Sequence, residues 1–258
     1  MSKRGLGSGL ILCILAANAV PDGDRTGLLN AVAWTQTSAE RDALCRQIYA
    51  AATAAMLARA PDAGGKPPAV IVDVDETVLD NSPYQARLVQ DQEPFSSPTW
   101  NAWCREAKAT AIPGAVAFAQ ACEAQGVRVF YVTNRTVAVE AATRTNLSAQ
   151  GFPLADADDL DVVLSRGDID PASSKVARRA SIGSAYRVVV MVGDDLHDFV
   201  DAEPSPEARR RAVEQHADLW GRAWFLLPNP MYGSWERTIT AGQDDAHAAK
   251  QAALRAGR

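Results

Sequence analysis

Cysteine and histidine are scarce in this chain of 258 residues, which contains four cysteines and three histidines. The cysteines form no CxxC pair and show no spacing typical of metal ligands, so the sequence predicts neither a thiolate metal site nor a disulfide framework. Beyond the N-terminal segment, Cys45, Cys104 and Cys122 allow one disulfide at most. We favour buried free thiols for all three, because unpaired cysteine packs in a core as a small hydrophobic residue.

Positive charge and long apolar runs are also lacking. The 26 lysines and arginines are outnumbered by 31 aspartates and glutamates, which gives a formal net charge of −5. This balance argues against a nucleic-acid polymer or an anionic membrane surface as the main partner. The apolar run at residues 10–17 is far shorter than the roughly 20 residues that a membrane-spanning helix needs, so we predict no transmembrane span.

Residues 1–19 have the features of a signal peptide. Lys3 and Arg4 provide a basic start, residues 10–17 are apolar, and Ala17-Asn18-Ala19 offers small residues at a cleavage position. We therefore predict that residues 1–19 are removed and that the protein is secreted or periplasmic. The alternative is an apolar N-terminus on a cytosolic protein.

A lipid anchor on Cys13 is a further interpretation of the same segment. Lipoprotein signals place a small residue before the modified cysteine, whereas this chain has the bulky Leu12 at that position. We therefore favour cleavage near Ala19 over lipidation.

Apolar, β-branched segments alternate with helical patterns along most of the chain. Such alternation is typical of a parallel sheet with helices on both faces, so we predict an α/β, Rossmann-like fold. Predicted strands lie at residues 69–72, 127–132, 161–164, 187–192 and 223–227. Predicted helices lie at residues 37–60, 114–125, 137–150, 173–181, 206–220 and 236–258.

Residues 80–112 are predicted to form an insertion between the first strand and the next sheet-covering helix. The turn Asn81-Ser82-Pro83 opens it, and helical stretches follow at residues 84–90 and 99–109. An insertion after a strand that carries reactive groups can cover them and select substrates. We therefore predict a small, mostly helical cap.

The first predicted strand ends in two carboxylates one residue apart, Asp73 and Asp75. In an extended chain both side chains project from the same side, where their negative charges repel each other. The pair therefore needs a cation or a shared proton. This favours a Mg²⁺ site in which one carboxylate can act as a nucleophile and the other as an acid and base. The alternative is a strand that simply ends in a polar turn.

Three later elements also end in residues suited to a phosphate group. Thr133 follows the second strand, Lys175 lies on the helix after the third, and Asp194 and Asp198 follow the fourth. Hydroxyl and ammonium groups bind phosphate oxygens, and carboxylates bind a hard cation. Because the carboxyl ends of parallel strands meet at one edge of the sheet, we expect these groups to lie together.

Four segments together resemble the four motifs of the haloacid dehalogenase superfamily. They are Asp73-Val74-Asp75-Glu76-Thr77, Thr133-Asn134-Arg135, Lys175 and Gly193-Asp194-Asp195-Leu196-His197-Asp198. More closely, the chain resembles the secreted class C acid phosphatases (subfamily IIIB), which include lipoprotein e-type 5′-nucleotidases. Residues 29–34, 80–84, 111–115 and 227–236 also match, so residues 20–258 are expected to form a single phosphatase domain. The chain departs from the family in lacking a convincing lipobox and in having Asp195 where asparagine is frequent.

The resemblance implies roles for the acidic residues. Asp73 would attack phosphorus and become an aspartyl-phosphate, and Asp75 would protonate the leaving oxygen and later activate water. Mg²⁺ is the implied cofactor, bound by the Asp73 carboxylate, the Asp75 backbone carbonyl, Asp194 and waters. Asp198 would orient metal-bound water from behind these ligands.

The resemblance also implies the substrate contacts. Thr133, the Asn134 backbone and Lys175 would hold the transferring oxygens. Tyr232 and Trp100 are candidates for stacking on a nucleobase, with packing in the core as the alternative for each.

The predicted function is therefore Mg²⁺-dependent hydrolysis of small phosphate monoesters, with nucleoside 5′-monophosphates among the candidate substrates. Two alternatives stay open: a binding or storage protein that kept the fold without turnover, and a phosphotransferase that passes the phosphoryl group to an alcohol. A homo-oligomer is compatible with the sequence.

Overall fold

A computed structural model describes residues 22–61, 65–154 and 161–255 of the chain. The predicted signal peptide at residues 1–19, with Cys13, lies outside these residues. The strands are β1 (Pro68–Val72), β2 (Leu79–Asp80), β3 (Thr110–Ala111), β4 (Arg128–Thr136), β5 (Val163–Arg166), β6 (Arg187–Gly193) and β7 (Trp224–Leu226). The α-helices are α1 (Asp22–Thr37), α2 (Ala39–Arg59), α3 (Ser82–Asp91), α4 (Ser97–Glu106), α5 (Ala115–Ala124), α6 (Glu140–Ala149), α7 (Val176–Ala185), α8 (Pro206–Gln215), α9 (Ser234–Thr240) and α10 (Ala246–Ala253).

Five strands form one parallel sheet in the order β5-β4-β1-β6-β7, which confirms the predicted α/β class. The chain runs outward from β1 through β4 to β5, then crosses back to β6 and β7 on the other side. Crossovers between parallel strands follow a right-handed rule, and the two crossovers here run in opposite directions across the sheet. By this rule α5 and α7 are assigned to opposite faces of the sheet. The order of strands reverses beside β1, and ligands bind at such a point in open α/β sheets.

The central strands are buried on both sides, as their composition predicts. Val70, Ile71 and Val72 of β1 are at most 4% exposed, and β4 and β6 flank them with further valines. At the carboxyl end of these strands the burial continues, but the buried side chains become polar. The core therefore forms a rigid base under the polar edge.

A two-stranded antiparallel ladder closes the base of the insertion at residues 80–112. In this ladder β2 pairs with β3, so the chain leaves and returns at neighbouring positions. The segment between β2 and β3 contains α3 and α4. The base of the insertion is tied to α2 by an ion pair between Arg41 and Asp80 at 3.0 Å. The insertion thus has two short helices and lies directly after β1.

Several element boundaries differ from the sequence-based predictions. The helix α1 was not predicted, and the break before α2 falls at Ser38, whose side chain caps α2 by accepting from the Arg41 N–H. The strand β4 extends to Thr136 because a shift in register lets Thr136 pair with Arg166. The C-terminal segment forms two short helices, α9 and α10, and α8 ends at Gln215.

Cys45, Cys104 and Cys122 are buried free thiols, which agrees with the prediction. Among the described residues, no helix is both long enough and apolar enough to cross a membrane.

Candidate active site

Asp73 lies at the tip of β1, immediately beyond its last residue. Its backbone N–H donates to the carbonyl oxygen of Val192 in β6 at 3.0 Å, so β1 and β6 are still joined where the carboxylate begins. The residue is 7% exposed, and one of its carboxylate oxygens accepts a hydrogen bond from the Lys175 ammonium. A rigid backbone therefore presents a carboxylate that is almost wholly removed from water.

Lys175 links two carboxylates from different strand ends. Its ammonium donates to Asp73 and, at 2.6 Å, to Oδ1 of Asp198, and the residue is 4% exposed. Burial alone would lower the pKa of Lys175, but the attraction of Asp198 and Asp73 outweighs it and raises the pKa. The lysine therefore stays charged and supplies a fixed positive charge beside Asp73.

Three carboxylates meet at this point: those of Asp73, Asp194 and Asp198 offer oxygen atoms that all lie within 4.8 Å of one another. One lysine cannot balance three negative charges in a partly desolvated space. Carboxylate oxygens are the donors that a hard divalent cation prefers, so both the donor chemistry and the charge of this cluster fit such an ion.

Asp194 is held by two side chains from different parts of the chain. Thr77 donates to its Oδ1 at 3.1 Å, and Asn229 donates to its Oδ2 at 2.8 Å. Asn229 belongs to the loop after β7, and Thr77 belongs to the turn after Asp75. Both contacts fix the direction in which Asp194 presents its carboxylate.

Asp198 is oriented by the backbone next to Asp194. The N–H groups of Asp194 and Asp195 donate to its Oδ2 at 3.1 and 3.0 Å, while its Oδ1 accepts from Lys175. This arrangement requires close packing against Gly193, the last residue of β6. A Cβ atom at that position would lie 2.5 Å from the Asp198 Cβ.

Gly193→Ala should therefore displace Asp198 and with it Lys175. We expect reduced stability and a loss of activity of about 10²-fold, the scale of a 1 Å misplacement in a catalytic centre. Thermal unfolding and steady-state kinetics measure both effects. Gly183→Ala is the matched control, because an added Cβ there meets nothing within 4 Å and alanine favours the interior of α7. Equal activity in the two variants would contradict the packing argument.

Asp75 is not one of the three clustered carboxylates and is bonded by side chains of its own. Its Oδ1 accepts from Arg135 Nε at 2.8 Å and from Asn81 Nδ2 at 2.9 Å. Asn81 is fully buried, and its own Oδ1 accepts from Arg135 and from the indole N–H of Trp103. The second carboxylate is thus paired with Arg135 and tied to the insertion, while its charge still acts on Asp73.

A family model described as HAD superfamily, subfamily IIIB (Acid phosphatase) matches residues 14–235. The chain belongs to this family. The structure of the class C acid phosphatase from Bacillus anthracis is similar, with a TM-score of 0.84 and 30% identity over 92% of this chain and 100% of that chain. A second structure of that enzyme, with tungstate bound, gives a TM-score of 0.84 at 29% identity with the same coverage.

Curated relatives in plants are more distant. Acid phosphatase 1 of Solanum lycopersicum is 27% identical over 167 residues, which is 63% of this chain and 57% of the relative. The stem 28 kDa glycoprotein of Glycine max is 24% identical over 168 residues, which is 63% of this chain and 58% of that protein. The chain therefore spans less than two thirds of the length of these curated relatives.

In this member of subfamily IIIB the acidic groups have unusual proton affinities. Burial raises the pKa of Asp73 to about 7 in spite of Lys175, and the charges of Asp198 and Asp75 contribute in the same direction. Burial likewise raises the pKa of Asp194 well above its ordinary value, with the charges of Asp198 and Asp73 adding to the effect. A divalent cation would reverse both shifts by stabilising the ionised forms.

The predicted phosphate-binding residues of subfamily IIIB lie beside Asp75 and Asp73. Thr133 is fully buried within the extension of β4, and its hydroxyl is 3.5 Å from Asp75 Oδ2. Asn134 is exposed on the rim. Lys175 directly precedes α7 and is not on the helix as predicted. The Ser174 hydroxyl beside it donates to Asp201 at 2.6 Å and accepts from the Val176 N–H at 3.2 Å.

The two candidate stacking residues differ in their surroundings. Trp100 packs edge-on against Tyr84 with 5.1 Å between ring centroids, and the Arg135 guanidinium lies 5.6 Å from its ring. Tyr232 is half-buried in the loop after β7, three residues beyond Asn229. The insertion that carries Trp100 contacts Asp75 through Asn81, and the loop that carries Tyr232 contacts Asp194 through Asn229.

Sequence reasoning missed four polar side chains that orient these carboxylates: Thr77, Asn81, Arg135 and Asn229. Each lies inside a segment that resembles the family, but the spacing of residues in the sequence does not predict which carboxylate the side chain bonds. The only available signal is a polar residue in an otherwise buried segment.

Proposed function

We propose that this protein is a Mg²⁺-dependent acid phosphatase, secreted or periplasmic, that hydrolyses small phosphate monoesters through an aspartyl-phosphate intermediate. The observation that carries this proposal is the convergence of Asp73, Lys175, Asp194 and Asp198 at the carboxyl ends of β1 and β6. The matches to named acid phosphatases from a bacterium and a plant support the reaction class.

In the first step a carboxylate oxygen of Asp73 forms a bond to phosphorus, and the bond from phosphorus to the ester oxygen breaks. The proton on Asp75 passes to the departing oxygen, so an alcohol leaves. Lys175 and the Thr133 hydroxyl hold oxygens of the transferring group. The Asp73 and Asp194 carboxylates and the Asp75 backbone carbonyl would hold Mg²⁺. The ion would neutralise negative charge on the phosphoryl group.

In the second step the aspartyl-phosphate is hydrolysed. Asp75, now ionised, takes a proton from a water molecule that attacks phosphorus, and inorganic phosphate leaves as Asp73 regains its carboxylate. The contacts of Asp75 with Arg135 and Asn81 keep its carboxylate aimed along this path. Asp198 contributes by holding Lys175 and the backbone N–H of Asp194.

We propose that the insertion at residues 80–112 acts as the cap that selects substrates. Tyr84, Phe95 and Trp100 form an aromatic cluster there, and Phe95 is 61% exposed. Tyr84 is buried and Trp100 is partly buried, so Phe95 is the exposed member of the cluster. An aromatic cluster with an exposed ring, in an insertion that contacts Asp75, favours an ester with a flat group, such as a nucleoside 5′-monophosphate. Tyr232 is a second candidate for this contact.

Hydrolysis of a panel of phosphate esters with Mg²⁺ or a chelator tests the proposal. We expect Mg²⁺-dependent release of phosphate, with higher kcat/KM for nucleotides and aryl phosphates than for alkyl phosphates. A binding or storage protein would show affinity without turnover. A phosphotransferase would form new esters when an acceptor alcohol is added.

Mg²⁺ affinity should depend on pH because the pKa of Asp73 is raised to about 7. Below that pH the carboxyl holds a proton that the cation must displace, so affinity should fall about tenfold per pH unit for each proton released. Calorimetric titration with Mg²⁺ between about pH 5 and pH 8, in buffers of different ionisation enthalpy, measures affinity and proton release together. Equal Mg²⁺ affinity at the lowest and the highest pH, with no protons released on binding, would contradict the electrostatic description of the cluster.

A further inference from the structure

Arg178 is a fully buried arginine that belongs to none of the motifs discussed above. It lies on the first turn of α7, three residues after Lys175, and is 0% exposed. Its guanidinium donates to the Thr133 carbonyl oxygen, to Asn134 Oδ1 at 2.8 Å and to the Ser174 carbonyl oxygen at 3.0 Å. One side chain thus connects the segment that precedes Lys175 with the Thr133-Asn134 segment.

All three acceptors of Arg178 are neutral. Among the residues that the structure describes, no carboxylate forms an ion pair with it, and its buried Nε has no hydrogen-bond partner. A guanidinium remains charged in proteins, and removing it from water is costly when no anion bonds it directly. Asp170, Asp73 and Asp168 attract Arg178 only from beyond hydrogen-bonding distance. A purely structural contact of this kind would be met more cheaply by a neutral side chain.

The acceptors of Arg178 lie directly behind the groups that face the phosphate site. Arg178 holds the Thr133 carbonyl, while the Thr133 hydroxyl accepts from the Arg135 N–H at 3.0 Å. The remaining hydroxyl hydrogen points to Asp75 over 3.5 Å, which is the outer limit of a hydrogen bond, so it is available for a phosphate oxygen. Arg178 therefore fixes the backbone from which Thr133 and Asn134 project.

We propose that Arg178 is a positioning residue for oxyanion binding. It holds the Thr133-Asn134 segment and the Ser174-Lys175 segment in one arrangement. It also places a positive charge, which no carboxylate of the described residues bonds directly, behind the position of the phosphoryl group. This inference rests on the proposed phosphatase function. The buried guanidinium stabilises the phosphate dianion from the other side of the Thr133-Asn134 segment. This applies both to the phosphate group of the substrate and to the inorganic phosphate product.

Calorimetric binding of inorganic phosphate in the presence of Mg²⁺ tests this role in Arg178→Met and Arg178→Lys. We expect the methionine variant to bind phosphate about 10- to 100-fold more weakly, with a comparable rise in KM for an aryl phosphate. Lysine retains the charge but cannot span the separate acceptors, so it should restore part of the affinity. Arg187→Met is the matched control, because Arg187 also donates to backbone carbonyls, those of Arg59 and Ala60.

The control variant should lose thermal stability while its phosphate affinity stays within about twofold of the wild type. Equal phosphate affinities in Arg178→Met and Arg187→Met, in a wild type that turns over substrate, would overturn the role of Arg178 alone. If Arg178→Met does not fold, an unchanged affinity in Arg178→Lys overturns it, and a weakened affinity supports it. A wild type that neither binds phosphate nor hydrolyses esters would overturn the proposed function and this inference together.

Discussion

Asp73→Asn is expected to reduce kcat for phosphate ester hydrolysis by roughly 10³-fold or more, the scale seen when a covalent nucleophile is removed. An amide cannot form the acyl-phosphate, yet its oxygen can still accept from Lys175. The substitution also removes one of three clustered negative charges, so the folded protein should keep its stability.

Two measurements check this expectation. Steady-state hydrolysis of an aryl phosphate gives kcat, and acid quenching after mixing with radiolabelled substrate shows whether label attaches to the protein. Asp91→Asn, at an exposed position at the end of α3, is the control and should behave as the wild type. An Asp73→Asn protein that retains activity within about tenfold of the control would exclude Asp73 as the nucleophile.

Asp75→Asn is expected to have an effect that depends on the leaving group. An alkyl alcohol needs a proton as it departs, so its ester should lose about 10²- to 10⁴-fold in kcat/KM. An acidic nitrophenol leaves without a proton, so formation of the aspartyl-phosphate from its ester should change little. Dephosphorylation needs the same residue as a base, and the labelled protein should therefore accumulate.

Comparison of nitrophenyl and alkyl phosphates in pre-steady-state experiments separates these two steps. Asp80→Asn is a suitable control, because Asp80 is also a largely buried carboxylate paired with an arginine, Arg41, at 3.0 Å. The Asp80→Asn variant should have lower thermal stability, and any change in kcat/KM should be the same for both esters. Equal losses for both esters in Asp75→Asn, with no accumulation of label, would show that Asp75 has a positioning role and does not transfer protons.

The position of Asp73 could be predicted from the sequence because its cause is local. A β-branched run that ends in acidic residues predicts both the strand and the polar tip, and the structure has β1 followed by Asp73 as expected. Lys175 was predicted on a helix and instead precedes α7. The Ser174–Asp201 hydrogen bond next to this boundary joins residues far apart in the chain, and local propensity contains no information about it.

The two buried arginines near the site could not be predicted for a similar reason. Arg135 and Arg178 would by default be assigned to the surface, since charged residues are seldom fully buried unless they are paired. Each has an acceptor far away in the chain: Asp75 lies 60 positions from Arg135, and Thr133 lies 45 positions from Arg178. Only the packing of β4 beside β1 and of α7 under the strand ends brings them together.

The most direct test of the central claim, that a divalent cation joins Asp73 and Asp194 beside Lys175, is an anomalous-scattering map. Crystals grown with Mn²⁺ in place of Mg²⁺, and with inorganic phosphate, should show one strong peak between the Asp73 and Asp194 carboxylates. Phosphate density should lie next to that peak, within reach of Lys175 and Thr133. A peak elsewhere, or phosphate bound without any metal signal at this cluster, would contradict the account.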